Sequence, residues 1–186
     1  MAVNRAVFID KDGTLVHDVP YNVDPSRLAL RADAGPALRA LQEAGYALVL
    51  VTNQAGVALG RFPEAALAPL WDAIRERLEE NGVKLTAVYY CPHHPAGHGV
   101  YARRCDCRKP QDGLLRRAAC AHGIDLAQSW MIGDILDDVE AGHRAGCRSV
   151  LLDVHSETEW NVTPLRTPDY VAPDLISACC HIARAA

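Results

Sequence analysis

Short, unbroken apolar runs recur along the 186-residue chain. Runs of this length without polar alternation indicate strands that are covered on both faces, as in a parallel sheet. They are AVFI at 6–9, ALVLV at 47–51, AVYY at 87–90, WMI at 130–132 and SVLL at 149–152. The pattern predicts an α/β protein with a doubly wound, mostly parallel sheet of the Rossmann-like type.

Segments with helical spacing separate these runs. Apolar residues three or four positions apart indicate amphipathic helices, and a following glycine is typical of a helix end. The ends fall at Gly45, Asn81-Gly82, Gly123 and Gly146, and a last helix is predicted over 174–184. Pro69 predicts a late start or a kink in the second helix. Residues 154–173 are rich in Thr, Pro and Asp and are predicted to be a loop, and we expect one domain over 1–186.

Composition narrows the classes of partner. The net charge of −4 and the pI near 6.0 provide no basic field for nucleic acid or an anionic membrane. The sequence has no apolar run long enough to span a bilayer and no signal-like N-terminus, so we expect a cytoplasmic protein. A small soluble substrate and a monomer are expected. An odd count of seven cysteines in a reducing compartment favours metal ligands or buried thiols over disulfides.

Polar residues follow the predicted strands where each one ends. Asp10 follows the first run, Thr52-Asn53 the second, Cys91 the third and Asp134 the fourth. Because the carboxyl ends of parallel strands meet at one edge of a sheet, these side chains are expected to converge there.

Asp10 and Asp12 are two residues apart, so in extended backbone they share a face and Lys11 points the opposite way. Gly13 permits a sharp turn beside a ligand. With Asp134 they form a set of carboxylates that suits a hard divalent cation, Mg²⁺ first. The alternative is a surface turn or part of a calcium loop, which placement after a buried strand disfavours.

A second metal centre is predicted between residues 91 and 107. The pattern C-x-H…C-x-C supplies the four ligands of a closed structural Zn²⁺ site. These ligands are Cys91, His93, Cys105 and Cys107. His94 and His98 are competing ligands, and reduced cysteines in a flexible loop are the alternative. Because Arg108-Lys109 follow directly, zinc is expected to order substrate-contacting groups as well.

Four motifs in order resemble those of the haloacid dehalogenase (HAD) superfamily over about residues 5–153. They are DKDGT at 10–14, TN at 52–53, Lys109 in CRKP and GDILDD at 133–138. The resemblance implies phosphoryl transfer through an aspartyl phosphate. It makes Asp10 the nucleophile and Asp12 the general acid and base. It also implies Mg²⁺ held by Asp10, the Asp12 backbone carbonyl and Asp134.

The same resemblance assigns roles to three further residues. Thr52 would donate a hydrogen bond to a phosphoryl oxygen, and Lys109 would neutralise that oxygen. Asp138 would orient Lys109 or a metal-bound water. Taken singly, Thr52 could be an ordinary strand-end threonine and Lys109 a solvated lysine, and only the joint pattern favours the functional interpretation.

The cysteine-rich loop, the TNQAGVALGRF segment at 52–62 and the lack of a large cap domain resemble the D-glycero-D-manno-heptose bisphosphate phosphatases. That branch removes the 7-phosphate from heptose 1,7-bisphosphate on the route to lipopolysaccharide or surface-layer heptose. Arg108 would then recognise the phosphorylated sugar, since its fork suits a second phosphate. Further residues expected to line the sugar pocket are Asn53, Gln54, Asp18 and Tyr21.

Two departures and two alternatives accompany this resemblance. Ile135 stands where the branch commonly has a lysine, and Leu59 stands where it usually has a basic residue. A histidinol-phosphate phosphatase, or a phosphatase for another small phosphoester, is the alternative among enzymes. A non-catalytic, zinc-stabilised binding module is the alternative outside them, and it is disfavoured because binding alone needs no second carboxylate beside the nucleophile.

Overall fold

The computed structural model describes residues 4–185, and six strands form one parallel sheet within them. The strands are β1 (Ala6–Ile9), β2 (Ala47–Asn53), β3 (Ala87–Cys91), β4 (Trp130–Gly133), β5 (Arg148–Leu152) and β6 (Tyr170–Ala172). Their order across the sheet is β3-β2-β1-β4-β5-β6, with every neighbouring pair parallel. This order is that of a doubly wound sheet, as the sequence predicts.

The loop prediction for residues 154–173 is wrong at its C-terminal end. β6 lies there and pairs with β5 in parallel, with Val150 opposite Tyr170. Three residues between Asp169 and Pro173 are too few to display a strand pattern of their own. Pairing with β5, rather than local sequence preference, makes this segment a strand.

Five α-helices connect the strands. They are α1 (Ala34–Glu43), α2 (Leu67–Glu79), α3 (Gly113–His122), α4 (Leu136–Ala145) and α5 (Leu175–Arg184). Because α2 begins at Leu67, Pro69 lies in its first turn, where a missing N–H removes no helical hydrogen bond. The helix thus begins with the first residue of its apolar pattern, and Pro69 is accommodated in the first turn without a late start. Asp174 caps α5 by accepting a hydrogen bond from the Ser177 N–H at 2.7 Å.

The sheet is covered by helices on both faces. On β1, Val7 and Ile9 belong to the apolar cluster that includes side chains of α1, α2 and α5. Ala6 and Phe8 belong to the second cluster, with side chains of α3 and α4. Burial on both faces accounts for the unbroken apolar runs in the sequence.

β1 lies between β2 and β4, so the order of the sheet reverses beside it. The carboxyl end of β1 therefore stands between those of β2 and β4, and ligands of such sheets bind at this point. No cap domain is inserted among residues 4–185. Over the same range, every helix falls short of the length and apolar character that a membrane-spanning helix needs.

Candidate active site

Lys109 joins two buried carboxylates at the carboxyl edge of the sheet. Its Nζ lies 2.5 Å from Oδ1 of Asp10 and 2.6 Å from Oδ1 of Asp138, and it donates to the Val51 carbonyl at 3.0 Å. Asp10 follows β1, and Asp138 lies in the first turn of α4. Lys109 is only 2% exposed, so it is not an ordinary solvated lysine.

The carboxylates outnumber the cations that neutralise them. Burial raises the pKa of Asp10 to about 7, although Lys109 opposes the shift. Burial and then the charge of Asp10 raise the pKa of Asp134 to about 6, and burial also raises that of Asp138. Burial alone would lower the pKa of Lys109, but the charges of Asp10 and Asp138 outweigh it and raise that pKa.

This surplus of negative charge fits a divalent cation. Oxygens of Asp10, Asp134 and Asp138 all lie within 4.8 Å of one another. Mg²⁺ prefers such oxygen donors, and its ligand atoms sit roughly 3–4 Å apart. The carboxylate of Asp12 is outside this set, and the family resemblance gives Asp12 a backbone carbonyl ligand instead.

Thr14 and Ser156 lie beside Asp134, and the sequence analysis missed Ser156. Thr14 Oγ1 donates to Asp134 Oδ1 at 3.1 Å, and the Ser156 side chain lies beside this carboxylate and opposes the rise in its pKa. Gly13 has a φ of +77°, and a Cβ there would collide with the Asp134 carboxylate. Ser156 lies in the segment between β5 and β6, and no motif marks it.

Lys11 does not point away from the site, so that expectation is wrong. Its Nζ lies 2.5 Å from Asp12 Oδ1 and it is 3% exposed. The reason is that β1 ends at Ile9, and the residues after it form a turn in which Leu15 and Val16 donate to the Lys11 carbonyl. Side-chain alternation applies only to extended backbone. The other oxygen of Asp12 accepts from Gln54 Nε2 at 3.2 Å.

Thr52 and Asn53 end β2 and have different surroundings. The Thr52 hydroxyl accepts from Gln54 Nε2 at 3.0 Å, which leaves its own proton available for donation. The Asn53 amide donates to the Lys109 carbonyl and accepts from the Lys109 N–H, both at 3.0 Å. Asn53 thus holds the backbone of Lys109, a contact that the sequence did not indicate.

Two cavities meet at Asp12. The first, about 310 Å³, is lined by Asp10, Thr52, Lys109, Asp134 and their neighbours, and we call it the phosphate-side cavity. The second, about 250 Å³, is lined by Tyr21, Gln54, Gly56, Phe62 and their neighbours, and we call it the alcohol-side cavity. Asp12, Asp18 and Asn53 line both.

Arg108 opens onto a third cavity of about 330 Å³, which it shares with Lys109, Asp137 and Arg104. The Nη1 atom of Arg108 is buried, and no group among residues 4–185 accepts a hydrogen bond from it. Ile135 lines the phosphate-side cavity and adds no charge there.

The four predicted zinc ligands form one cluster beside β3. The sulfur atoms of Cys91, Cys105 and Cys107 lie 3.2 to 3.5 Å apart, and His93 Nδ1 lies 3.3 Å from the Cys107 sulfur and 3.7 Å from that of Cys91. A tetrahedral Zn²⁺ with bonds of about 2.3 Å separates its ligand atoms by roughly 3.7 Å, so this donor set fits zinc after a small outward shift.

The pKa values of two thiols in this cluster are shifted by the hydrogen bonds between its members. Hydrogen bonds from Cys91, Cys105 and His93 lower the pKa of the Cys107 thiol to about 4, and the bond to Cys107 raises the pKa of Cys91. The competing candidates His94 and His98 lie outside the cluster.

Known proteins are similar to this chain in sequence and fold. The HAD-hydrolase-like family matches residues 106–178. The D-glycero-beta-D-manno-heptose-1,7-bisphosphate 7-phosphatase of Haemophilus ducreyi is 44% identical over 80% of this chain and 82% of its own. The protein of that name from Escherichia coli K12 is 40% identical over 79% of this chain and 78% of its own.

A solved structure extends the likeness to nearly the whole chain. It is the D,D-heptose 1,7-bisphosphate phosphatase from B. bronchiseptica, complexed with magnesium and phosphate. It is 28% identical, has a TM-score of 0.80, and the match covers 98% of this chain and 99% of that one.

The doubly wound sheet and the acidic cluster around Lys109 place the chain among the HAD-like hydrolases. Within that class the chain belongs to the family of D-glycero-D-manno-heptose 1,7-bisphosphate 7-phosphatases, because relatives of that family share 40–44% identity over most of its length.

Proposed function

We propose that this chain is a Mg²⁺-dependent phosphatase that removes the 7-phosphate of D-glycero-D-manno-heptose 1,7-bisphosphate through an aspartyl phosphate on Asp10. The observation that carries the proposal is the position of Asp12 on the boundary between the phosphate-side and alcohol-side cavities. A general acid must contact the oxygen that bridges the transferred phosphate and the departing alcohol. Asp12 occupies that boundary.

Residues of the phosphate-side cavity bind the group that is transferred. The Thr52 hydroxyl donates to one phosphoryl oxygen, and the Lys109 ammonium compensates the charge on another. Asn53 fixes the backbone of Lys109, while Asp10 and Asp138 fix its ammonium. Because these groups are held before substrate arrives, little reorganisation is needed during reaction.

The chemistry then follows in two steps. The Asp10 carboxylate attacks phosphorus, the bond from phosphorus to the sugar oxygen breaks, and Asp12 gives that oxygen its proton. Water next attacks the phosphorus of the aspartyl phosphate, Asp12 takes a proton from the water, and the bond between Asp10 and phosphorus breaks. Sugar 1-phosphate and inorganic phosphate leave, and both carboxyl groups regain their starting forms.

Asp10, the Asp12 carbonyl and Asp134 would hold Mg²⁺, with Asp138 beside them. Bound Mg²⁺ supplies positive charge that reduces repulsion between the carboxylates and the phosphate. Thr14 and Ser156 orient Asp134 for this role. Cys91, His93, Cys105 and Cys107 would hold structural Zn²⁺.

Arg108 is the residue we assign to the second phosphate. Its buried Nη1 atom lacks an acceptor among residues 4–185 and belongs to the residue directly before Lys109. A guanidinium fork matches the geometry of a phosphate. Because histidinol phosphate carries one phosphate, this contact favours a bisphosphate substrate.

The test is phosphate release from the heptose 1,7-bisphosphate, histidinol phosphate and p-nitrophenyl phosphate, with and without Mg²⁺. We expect preference for the bisphosphate, dependence on Mg²⁺, and loss of all three activities in Asp10→Asn. Asp72→Asn, at an exposed position on α2, is the control. Activity that survives Asp10→Asn would contradict the mechanism, and preference for histidinol phosphate would contradict the substrate.

We also propose that the chain acts as a monomer with one catalytic domain. Support comes from the single sheet that carries both predicted metal centres at one edge. Sedimentation analysis at assay concentrations tests this, and a dimer would contradict it.

A further inference from the structure

The tip of the zinc loop, residues 94–101, packs against the segment between β2 and α2. The His98 N–H donates to the Ala58 carbonyl at 2.7 Å. Gly97 is so close that a Cβ there would meet Ala58 Cβ at 2.6 Å and the Ala58 carbonyl oxygen at 2.8 Å. Only glycine fits at 97 without displacing one of the two segments.

Glu64 makes a second connection between the same regions. One carboxylate oxygen accepts from the Tyr101 hydroxyl at 2.6 Å, and the other accepts from the Tyr90 hydroxyl at 3.1 Å. Tyr101 also packs against the His93 ring, with 6.2 Å between ring centroids. Glu64 therefore links the zinc-loop tip to β3 at the start of the segment that leads into α2.

Residues 54–62 form one wall of the alcohol-side cavity, and we call them the cavity wall. Gln54, Gly56 and Phe62 face this cavity. The Phe62 ring covers Gly56 so closely that a Cβ at 56 would collide with it. Ala58, which the zinc-loop tip contacts, lies between Gly56 and Phe62 on the same turn. Ala58 therefore lies between the zinc-loop tip on one side and the residues that line the cavity on the other.

We propose that the zinc-loop tip supports the cavity wall, and that Gly97, Tyr101 and Glu64 are positioning residues for the sugar part of the substrate. None of the three lines the phosphate-side or alcohol-side cavity. They act on substrate binding through Ala58 and Phe62. This inference rests on the proposed function, because it takes the departing alcohol to occupy the alcohol-side cavity.

The main test is Gly97→Ala. The added methyl group pushes Ala58 and the cavity wall apart from the tip. We expect KM for the heptose bisphosphate to rise roughly tenfold while kcat stays nearly constant, since binding and not chemistry is affected. p-Nitrophenyl phosphate lacks the sugar, so its KM should rise much less than KM for the heptose bisphosphate, and its kcat should stay constant. Hydrogen exchange of the amides in residues 54–62 should become faster.

Tyr101→Phe is the milder variant, and Tyr89→Phe is its matched control. Tyr101→Phe removes one hydroxyl from Glu64 and should raise KM for the bisphosphate in the same direction. Tyr89 lies next to Tyr90 on β3, but its hydroxyl meets His122 in a different part of the fold. Tyr89→Phe should therefore leave KM and exchange at 54–62 unchanged.

Several results would overturn the inference. They are equal losses on both substrates in Gly97→Ala, unchanged exchange at 54–62, loss of bound zinc from Gly97→Ala, and an effect of Tyr89→Phe as large as that of Tyr101→Phe. The exchange measurement needs no substrate. If the heptose bisphosphate is not hydrolysed but exchange responds as expected, the proposed substrate fails and the support of the cavity wall stands.

Discussion

Lys109 forms ion pairs with two buried carboxylates that line the phosphate-side cavity, Asp10 and Asp138. Lys109→Met keeps the length of the side chain but removes the cation between Asp10 and Asp138. We expect the free energy of unfolding to fall by about 3 kcal/mol, because breaking a buried ion pair leaves uncompensated charge. Turnover should fall at least roughly 100-fold, since a preorganised cation is lost.

Chemical denaturation and steady-state kinetics at pH 7 check both effects. Lys84→Met is the control, because Lys84 is exposed and precedes β3, at the edge of the sheet opposite the site. A Lys109→Met protein as stable as the parent would show that these carboxylates are already neutralised by other means.

Ser156 belongs to no sequence motif, and its expected role in Mg²⁺ binding depends only on its place beside Asp134 in the fold. Ser156→Ala removes a hydroxyl that lies beside Asp134 and opposes the rise in its pKa, while leaving every predicted Mg²⁺ ligand in place. Loss of a partner that orients a ligand weakens metal binding, so we expect the Mg²⁺ dissociation constant to rise roughly tenfold. kcat at saturating Mg²⁺ should change little.

Titration calorimetry with Mg²⁺ measures this directly. Ser26→Ala is the comparison, because the Ser26 hydroxyl bonds the exposed Asp24 and should have no effect on Mg²⁺ binding. Equal Mg²⁺ affinity in Ser156→Ala and the parent protein would refute an orienting role for Ser156.

At the residue scale, the sequence identifies groups that belong to motifs and misses those placed by tertiary structure. Asp10, Asp134 and Lys109 could be predicted because each lies within a recognisable motif. The orientation of Lys11 could not, since it depends on where β1 ends. The hydrogen bonds between the Asn53 side chain and the Lys109 backbone join positions 56 residues apart, and no local pattern encodes them.

Gly142 lies inside α4 and Gly146 follows it. Replacing each by alanine distinguishes the effect of side-chain packing from that of backbone conformation. Alanine normally stabilises a helix interior relative to glycine by about 1 kcal/mol. At Gly142, however, a Cβ would collide with Ser149 Oγ and meet Met131 Cβ at 2.7 Å. Gly142→Ala should therefore displace α4 from the sheet, lower stability by about 1–3 kcal/mol, and reduce turnover because α4 carries Asp138.

Gly146→Ala provides the matched comparison. Gly146 follows α4 with a φ of +94°, and nothing lies within 4 Å of the point that a Cβ would occupy there. Its replacement should cost about 1 kcal/mol through backbone strain and leave turnover of the folded protein unchanged. Measuring unfolding and kcat for both variants tests the distinction, which fails if the two lose turnover equally.

Asp169 joins β5 to α4 through charge-assisted hydrogen bonds. Its Oδ2 accepts from the Ser149 N–H at 2.7 Å and lies 2.9 Å from His143 Nε2. Burial would raise the pKa of Asp169, but these hydrogen bonds outweigh it and hold that pKa below its ordinary value of 3.8. A lowered pKa stabilises the folded state above pH 3.8, and this stability is lost as the pH falls through the lowered pKa.

Asp169→Asn should consequently reduce the free energy of unfolding at pH 7 by no more than about 1 kcal/mol, because the carboxylate is partly exposed. The difference between parent and variant should shrink as the pH falls below 3.8. Urea denaturation over that range provides the measurement. A constant difference at all pH values would mean that the carboxylate charge contributes nothing.

At the element scale, long patterns are predictable and short ones are not. The strands before residue 153 match the apolar runs, because each is buried between two layers of helices. β6 has three residues and exists through its pairing with β5. Ser156 lies in the segment between β5 and β6, which has no strand or helix pattern, so the sequence could not place it at the site.

At the scale of the whole molecule, the two predicted metal centres lie at the same edge of the sheet. The acidic cluster follows β1 and β4, and the zinc cluster begins at the end of β3. The zinc loop reaches the active site at two points. Its C-terminal end leads directly into Arg108 and Lys109, and its tip contacts the cavity wall.

Loss of zinc should therefore affect substrate binding more than the fold. Cys107→Ser is expected to lose zinc, to melt at a lower temperature, and to keep the circular dichroism of the sheet and helices, since only Cys91, Pro92 and Cys107 are buried within residues 91–107. KM for the bisphosphate should rise at least roughly tenfold, because the ordering of Arg108 and the cavity wall is lost together.

Cys120→Ser is the control, because Cys120 is exposed on α3 and outside the cluster. It should keep zinc, melting temperature and KM. If Cys107→Ser loses its zinc and retains full turnover and substrate affinity, the zinc loop stabilises the protein without positioning the substrate. In that case the specificity of this enzyme would have to come from residues of the alcohol-side cavity alone.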